Sequence, residues 1–152
     1  MMKAFVHFAS DMISQCPHLS IMSEHVIDAS EPYHPKKLAK KSVVDASAYF
    51  ALDIRIGVIV HAEIFQEMRK PSYKIEVDFG PIYGRLRSSA QITNYTCEEL
   101  IGRSVVGAVN LSEKKLPGGF VSQFLVLGAL HPDGTVALLE LSQSILPGSI
   151  VA

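Results

Sequence analysis

The chain has 152 residues, an apolar content of 48% and a formal net charge of −1 at pH 7. This length fits one domain with an extension, and the apolar content is enough to build a packed core. The nearly balanced charge excludes a polycation that coats nucleic acid through its overall field, so any nucleic-acid site has to be a local basic patch.

The sequence also argues against membrane, secreted and metal-binding proteins. Its longest uninterrupted apolar run, residues 124–130, is far shorter than the roughly 20 residues of a membrane-spanning helix. The apolar patch near the N-terminus is broken by Asp11, and no small-residue cleavage pattern follows it. Cys16 and Cys97 lie far apart, and neither they nor the histidines show the spacing of zinc ligands. We therefore expect a cytoplasmic protein with reduced thiols, no metal ion and no cofactor.

Residues 1–45 are predicted to form a poorly defined N-terminal arm. The stretch HVIDASEPYHPKKLAKK has two prolines, scattered histidines and a basic cluster, without a sustained apolar period. The basic cluster comprises Lys36, Lys37, Lys40 and Lys41. Residues 1–21 precede Met22 and are interpreted either as a misassigned start or as a targeting segment. Residues 46–152 are predicted to form the folded domain.

After the arm, the pattern predicts a short helix and then three strands. The helix is expected within residues 43–52, with Asp45 or Ser47 as its N-cap. The run DIRIGVIVHAEIF is rich in β-branched residues and predicts a strand, in which Gly57 is the expected site of a bend or bulge. The run SYKIEVDFG alternates apolar and polar residues and predicts a second strand, and the turn GPIYG leads to a third strand, GRLRSSAQI.

A short helix and further strands complete the predicted barrel. Thr96 is a suitable N-cap for the helix CEEL, and Gly102 is its expected stop. SVVGAVNL and SQFLVLGAL predict two strands on either side of the loop SEKKLPGGFV, and HPDGT predicts a tight turn into VALLEL. This order is that of an OB-fold. We therefore predict a mainly β protein: a five-stranded OB-fold barrel with a short helix between strands 3 and 4 and with N- and C-terminal extensions.

Five motifs in this region carry a resemblance to a known family. In chain order they are LDIRIG, KIEVDFG, SSAQIT, VVGAVNL and SQFLVLG, and from about Phe50 to Ala152 the chain resembles the CsaA branch of the tRNA-binding-domain family. The family also includes the C-terminal domain of some methionyl-tRNA synthetases. The resemblance implies an OB-fold homodimer that binds tRNA without aminoacylating it. For the CsaA branch it also implies a chaperone role toward unfolded or exported polypeptides.

Candidate RNA contacts follow from the strand pattern and the resemblance together. Arg85 and Arg87 lie two residues apart on one strand, so they share a face on which an OB-fold can bind nucleic acid. The alternative is that these arginines pair with carboxylates of the neighbouring strand. For Arg55, a phosphate contact and a structural pair with Asp53 are equally open. The full predicted set is Arg55, Lys74, Arg85, Arg87, Ser88, Ser89, Asn110, Lys114, Lys115 and Ser122.

Other candidate residues leave alternatives open. Lys114 and Lys115 precede two glycines and predict either a flexible phosphate-binding loop or a solvated hairpin tip. Asn110 is suited to holding that loop closed or to contacting a base edge. Tyr83 and Tyr95 are the expected base-stacking residues, because Phe79, Phe120 and Phe124 are assigned to the core or an interface.

The C-terminus SILPGSIVA is apolar and has to pack on its own barrel or on a partner subunit. An isologous homodimer is the expected solution. The predicted interface residues are Phe50, Leu52, Leu146, Pro147, Ile150 and Val151.

The predicted function is non-enzymatic binding of folded tRNA through its backbone by a cytoplasmic homodimer. Catalysis is not predicted, because neither Ser88 nor Cys97 has an identifiable base and orienting carboxylate nearby in sequence. The main alternative is a CsaA-like chaperone that binds unfolded or exported polypeptides. A third interpretation is an assembly module that docks onto a synthetase or another partner.

Overall fold

The computed structural model describes Glu31 and residues 33–152. The described residues fall into two units. One is Val44–His131 with Thr135–Ala152, and the other is the described part of Met1–Val43 with Pro132–Gly134. The predictions for residues 1–21, for Cys16 and for most of the N-terminal arm lie outside the described residues. The predicted boundary at residue 45 stays a prediction.

The described residues before Val44 contain a 3-10 turn, Pro35–Lys37. The His34 ring Nδ1 accepts a hydrogen bond from the Lys36 backbone N–H at 3.2 Å. The Lys37 ammonium pairs with the Glu31 carboxylate at 2.9 Å. After this turn the chain has no helix or strand until Ser47, where the first α-helix begins.

The barrel unit consists of short helices and antiparallel strands. The helices are α1 (Ser47–Phe50), α2 (Gly80–Tyr83) and α3 (Cys97–Leu100). The longer strands are β1 (Ile54–Ile64), β2 (Tyr73–Asp78), β3 (Arg85–Ala90) and β4 (Ser104–Ala108). The short strands are β5 (Lys114–Lys115), β6 (Val121–Ser122), β7 (Leu125–Val126), β8 (Gly128–Leu130) and β9 (Val136–Leu138). A 3-10 turn, Pro117–Gly119, separates β5 from β6.

Five strands form a nearly closed barrel in the order β3, β2, β1, β4, β7, and neighbouring strands are antiparallel. The two ends of this sheet meet between β3 and the segment that joins β6 to β7. There Gln123 N–H donates to the Arg87 carbonyl at 2.8 Å, and Arg87 N–H donates to Gln123 Oε1 at 3.1 Å. The prediction of a mainly β, five-stranded barrel with a short helix between strands 3 and 4 is confirmed.

The C-terminal tail pairs with the part of β1 that β2 does not reach. β2 pairs with β1 only from Val58 onward. Before that point, Ile56 N–H donates to the Ser149 carbonyl at 2.9 Å, and Gly148 N–H donates back to the Ile56 carbonyl at 2.7 Å. Val151 N–H donates to the Ile54 carbonyl at 2.8 Å. The tail therefore satisfies an edge that would otherwise be open for pairing with another chain.

Phe79 is the centre of the barrel core and is fully buried. Its ring meets Phe124 edge to face, with ring centroids 4.9 Å apart. Gly57 and Gly107 lie beside the ring: a Cβ would lie 2.8 Å from Phe79 at either position. Only glycine leaves room there for the aromatic ring.

The local predictions for α3 and β1 have different outcomes. Thr96 caps α3 as predicted: its hydroxyl accepts from Glu99 N–H at 3.2 Å, and the Glu99 carboxylate accepts from Thr96 N–H at 2.7 Å. The bulge predicted at Gly57 is wrong, because the register of β1 with β2 shifts between Ile59 and His61. Gly57 is required by the close approach of Phe79 instead.

Two other segments differ from the predicted elements. The turn GPIYG is the one-turn helix α2. The run SQFLVLGAL, predicted as one strand, is divided among β6, β7 and β8, which pair with β5, β4 and β9 respectively. The chain bends after Ser122 because Phe124 inserts into the core and its carbonyl accepts a hydrogen bond from Ser88 at 2.7 Å.

Candidate nucleic-acid interface

The strand alternation places cationic and hydroxyl side chains on the outer face of β2 and β3. In β3, Arg85 and Arg87 are exposed, whereas Leu86 and Ser88 face the barrel. In the register of the two strands, Lys74 lies opposite Ser89. This face is the one on which the sequence predicts RNA contact.

Phe120 brings the cations of this face together. The Arg87 guanidinium lies 5.6 Å from the centroid of the Phe120 ring, and the Lys74 ammonium lies 6.0 Å from it. Phe65 meets the same ring edge to face at 5.1 Å and is itself 4.8 Å from the Lys74 ammonium. We call Lys74, Arg87, Phe65 and Phe120 the Phe120 cluster. Cation–π contacts of this kind hold long cationic side chains in defined positions.

The cations of this face differ in their acidic partners. Among the described residues, no carboxylate pairs with Arg87. Arg85, whose side chain is 64% exposed, pairs with Glu76 at 3.3 Å, which is the structural alternative considered from the sequence. Lys74 lies 3.6 Å from both Glu63 and Glu67. Exposed pairs of this length contribute little free energy, so a phosphate can replace them.

Lys114 and Lys115 lie on the β5–β6 hairpin, and both are exposed. Lys114 is paired in register with Ser122 on β6, which lies beside β3. The hairpin closes through the hydrogen bond from Leu116 N–H to the Phe120 carbonyl at 2.8 Å. Of the two alternatives left open for this region, a flexible loop or a hairpin, the structure has the hairpin, and its two lysines are exposed.

Ser88 and Ser122 close the barrel. Ser88 is 1% exposed, and its hydroxyl donates to the Phe124 carbonyl at 2.7 Å. Its oxygen also lies 3.1 Å from the half-buried Ser122 hydroxyl. A hydroxyl held inside the barrel does not reach solvent, so the structure gives Ser88 a structural role instead of the predicted RNA contact. The adjacent Ser89 points outward.

Arg55 belongs to an ion-pair cluster with Asp53. The Arg55 Nη2 donates to Asp53 Oδ2 at 3.1 Å and Nη1 donates to the Gly148 carbonyl at 2.9 Å. The Tyr83 hydroxyl donates to the same Asp53 oxygen at 2.7 Å. The hydrogen bonds from Arg55 and Tyr83 hold the pKa of Asp53 below its ordinary value. Of the two interpretations left open for Arg55, the structural pair is the one observed.

Asn110 has a structural role as well. Its side-chain oxygen accepts from Asp53 N–H at 2.8 Å, and its amide donates to the Ala51 carbonyl at 2.8 Å. Both ends of the amide thus fix the connection between α1 and β1. A base edge would have to compete with both hydrogen bonds.

The structure uses the predicted stacking residues internally and offers Phe120 in their place. The Arg55 guanidinium lies 5.6 Å from the centroid of the Tyr83 ring, and the Arg103 guanidinium lies 4.7 Å from that of the Tyr95 ring, so one face of each ring is already covered. The hydroxyls are engaged as well: that of Tyr83 donates to Asp53, and that of Tyr95 accepts from Leu138 N–H at 3.2 Å. Phe120 is half-buried beside the two cations. Sequence reasoning assigned Phe120 to the core or an interface. No local signal identifies its role, because Phe65, Lys74 and Arg87 come from three different strands or strand ends.

Several of the predicted interface residues are apolar side chains exposed to solvent. Phe50 is 73% exposed, Leu146 80% and Ile150 65%, and Leu52 is 41% exposed. Pro147 and Val151 are half-buried, and Val151 packs on a second core cluster around Ile54. The sequence did not identify Ile82 of α2, which is 80% exposed. Gly80, the first residue of α2, contacts the Pro147 carbonyl, so α2 lies beside the tail.

Within the part of the chain that the structure describes, no helix is long and apolar enough to cross a membrane. Among the same residues, no group of histidine, cysteine and carboxylate side chains is placed to hold a metal ion. Cys97 is a half-buried free thiol.

Comparison with known proteins gives consistent matches, although no family model matches the chain. The CsaA chaperone protein from Picrophilus torridus is 40% identical, with a TM-score of 0.68 over 72% of this chain and 100% of that chain. Chaperone CsaA from Bacillus anthracis is 39% identical, with a TM-score of 0.68 over 73% of this chain and 100% of that chain. The methionine–tRNA ligase of Phocaeicola vulgatus is 32% identical over 123 residues, which are 81% of this chain and 18% of the enzyme. The chain thus spans about a fifth of the length of such ligases.

Proposed function

Because the chain belongs to the CsaA-like tRNA-binding-domain family, we propose that it binds folded tRNA, mainly through phosphates, without catalysing a reaction. The observation that carries this proposal is the placement of Arg87 and Lys74 around Phe120, with the exposed Lys114 and Lys115 on the same β5–β6 hairpin that carries Phe120. Because the proposed ligand is tRNA, we also propose that the protein is located in the cytoplasm.

The proposed RNA surface differs from the set predicted from sequence. It keeps Lys74, Arg85, Arg87, Ser89, Lys114, Lys115 and, at its margin, Ser122, and it adds Phe120. Arg87 is its principal residue, because its planar fork of donors suits phosphate oxygens and no described carboxylate pairs with it. Arg55, Ser88 and Asn110 are left out, since their polar atoms are committed to hydrogen bonds within the barrel.

Contact through phosphates is favoured over the recognition of single-stranded bases. Tyr83 and Tyr95 make contacts within the barrel, so Phe120 is the main aromatic side chain left on this face. A row of stacking platforms is typical of proteins that bind single strands. Cations with few aromatic partners fit a folded RNA, which is recognised through its shape and backbone.

The test is a gel shift with total tRNA across a salt series. Arg87→Ala is expected to weaken binding about tenfold and to lower the salt slope by about 1. Arg85→Ala is the matched comparison on the same strand, and it should cost less because Glu76 already pairs with Arg85. Equal losses would show that Arg87 has no special role. A wild-type protein that does not bind tRNA at low salt would refute the proposed function.

We further propose that the protein is a homodimer joined through the apolar surface formed by Phe50, Leu52, Ile82, Leu146 and Ile150. These side chains are between 41% and 80% exposed, and covering them against a second copy removes a large apolar area from water. Ile82→Lys should give a monomer by sedimentation equilibrium. Ile101→Lys is the control, because Ile101 is 52% exposed but lies at the end of α3. A wild-type monomer at micromolar concentration would contradict the proposal.

A second candidate function is the binding of unfolded polypeptides, as the name of the CsaA chaperones suggests. A groove of about 380 Å³ is lined by apolar side chains including Ile64, Phe65, Met68 and Pro71, and Ile64 is 66% exposed. This volume fits one or two apolar side chains of a peptide. Ile64→Asp should abolish suppression of aggregation while tRNA binding persists. If Arg87→Ala removes both activities together, the two surfaces are not separable.

A further inference from the structure

The positive charge of the chain is unevenly distributed. The barrel unit, residues 44–131 and 135–152, contains nine basic and ten acidic side chains, a net charge of −1. Residues 36–41 contain four lysines and no acidic residue. The barrel unit alone is therefore weakly repelled by a polyanion at long range, whereas this short segment is attracted to it.

Much of the barrel's own positive charge is already paired with carboxylates. Arg55, Lys74, Arg85 and Arg103 each have a carboxylate within ion-pair distance. Among the described residues of the barrel unit, the basic side chains without such a partner are Arg69, Lys70, Arg87, Lys114 and Lys115. A phosphate surface built from the barrel alone therefore has to displace carboxylates from several of its cations.

The segment before the barrel presents its lysines to solvent. Lys36, Lys40 and Lys41 are exposed, and no described carboxylate pairs with them. Lys37 pairs with Glu31 at 2.9 Å. Beyond the 3-10 turn, residues 39–45 belong to no helix or strand, so the backbone amides of the segment are not committed to a ladder and its lysines are presented from irregular chain.

We infer that residues 36–41 form a second RNA-contacting segment, which adds sequence-independent phosphate contacts through Lys36, Lys40 and Lys41. The inference depends on the proposed tRNA binding, because both contacts are made to the same RNA. The segment is joined covalently to the barrel unit only two residues after Lys41, so binding by either one holds the other near the RNA at high effective concentration. An anionic membrane is a weaker partner, since Leu38 is the one large apolar side chain in the segment.

The experiment compares the full chain with three variants across 50 to 200 mM salt, using labelled tRNA. The triple variant Lys36→Gln, Lys40→Gln, Lys41→Gln removes three charges, and the matched Lys→Arg triple variant keeps them. Each phosphate contact contributes about 0.7 to 0.9 to the slope of log K against log salt concentration. The slope of the glutamine variant should therefore be smaller than that of the wild type by about 2 to 3. The wild type would then lose about thirtyfold more affinity over this range than the glutamine variant. The arginine variant should behave as the wild type.

Arg87→Ala separates this inference from the proposed function. If Arg87→Ala weakens tRNA binding and the glutamine variant binds as tightly as the wild type, the proposed barrel surface is supported and the inference is wrong. If only the glutamine variant weakens binding, the segment binds the RNA and the Phe120 cluster does not. If the glutamine variant keeps its tRNA affinity but no longer binds phosphatidylserine vesicles, the segment contacts membranes and the inference is overturned. Absence of tRNA binding by the wild type overturns both.

Discussion

The adjacent residues Ser88 and Ser89 allow a direct test of the structure against a prediction made from sequence alone. Both were expected to contact RNA. In the structure Ser88 is buried and its hydroxyl donates to the Phe124 carbonyl at 2.7 Å, whereas Ser89 lies on the outer face opposite Lys74. Ser88→Ala should therefore affect stability, and Ser89→Ala should affect RNA binding.

The loss of stability expected for Ser88→Ala follows from the hydrogen bond that the substitution removes. Removing the hydroxyl leaves the Phe124 carbonyl with only the longer contact to Ser122, at 3.4 Å, inside a closed part of the barrel. An unsatisfied buried acceptor costs about 1–3 kcal/mol. For a folded unit of this size, that loss lowers Tm by roughly 4 °C per kcal/mol.

Urea unfolding followed by circular dichroism measures this effect, with all proteins at one concentration because subunit association would add to the apparent stability. Ser88→Ala should lower the midpoint without changing the m-value and should leave the tRNA affinity unchanged. Ser89→Ala should change stability by less than about 0.5 kcal/mol. Its tRNA affinity should fall about threefold, the equivalent of one neutral hydrogen bond. A Ser88→Ala variant of unchanged stability but weaker RNA binding would refute the assignment.

Three further predictions concern the barrel and can be measured by the same unfolding assay. Gly107→Ala places a Cβ 2.8 Å from Phe79, and the resulting overpacking should cost about 1–3 kcal/mol; an unchanged midpoint would contradict the packing described here. Asn110→Ala removes two hydrogen bonds of 2.8 Å and should cost about 1–2 kcal/mol. Its tRNA affinity should not change, and a loss of affinity without a loss of stability would instead indicate contact with a base. The hydrogen bond from Arg55 is the main cause of the lowered pKa of Asp53. The Asp53–Arg55 ion pair therefore stabilises the fold at pH values above the ordinary pKa of about 3.9, and this stabilisation is lost as the pH falls through the lowered pKa of Asp53. Asp53→Asn should therefore be less stable than the wild type at pH 7, and the difference should shrink toward pH 2; a constant difference would rule out this linkage.

The sequence was informative about the barrel because its strands and caps are encoded locally. Alternation in SYKIEVDFG identified the inward-facing residues of β2, and Thr96 with Glu99 formed the capping box expected from their spacing. The division of SQFLVLGAL among three strands could not be predicted from that run. It depends on the insertion of Phe124 into the core and on pairing with segments distant in the chain.

The candidate site was only partly predictable for the same reason. The two-residue spacing of Arg85 and Arg87 identified their shared face, but it did not show that Arg85 has a carboxylate partner within reach while Arg87 does not. The role of Phe120 depends on residues that are 33 and more positions away. Ser88 and Ser89 are the clearest case, because a strand that closes a barrel turns one of two identical neighbours into a core residue.

The carboxylates near the cations of this face bear on how selective the proposed RNA binding is. Glu63 and Glu67 lie 3.6 Å from Lys74, and Glu76 lies 3.3 Å from Arg85. A polyanion has to displace these carboxylates, each at a small free-energy cost, before it gains its own contacts. A ligand that offers a single phosphate gains little by this exchange. A folded RNA that presents several phosphates at once to Arg87, Lys74 and the β5–β6 hairpin gains on each of them, so the paired carboxylates favour it over isolated anions.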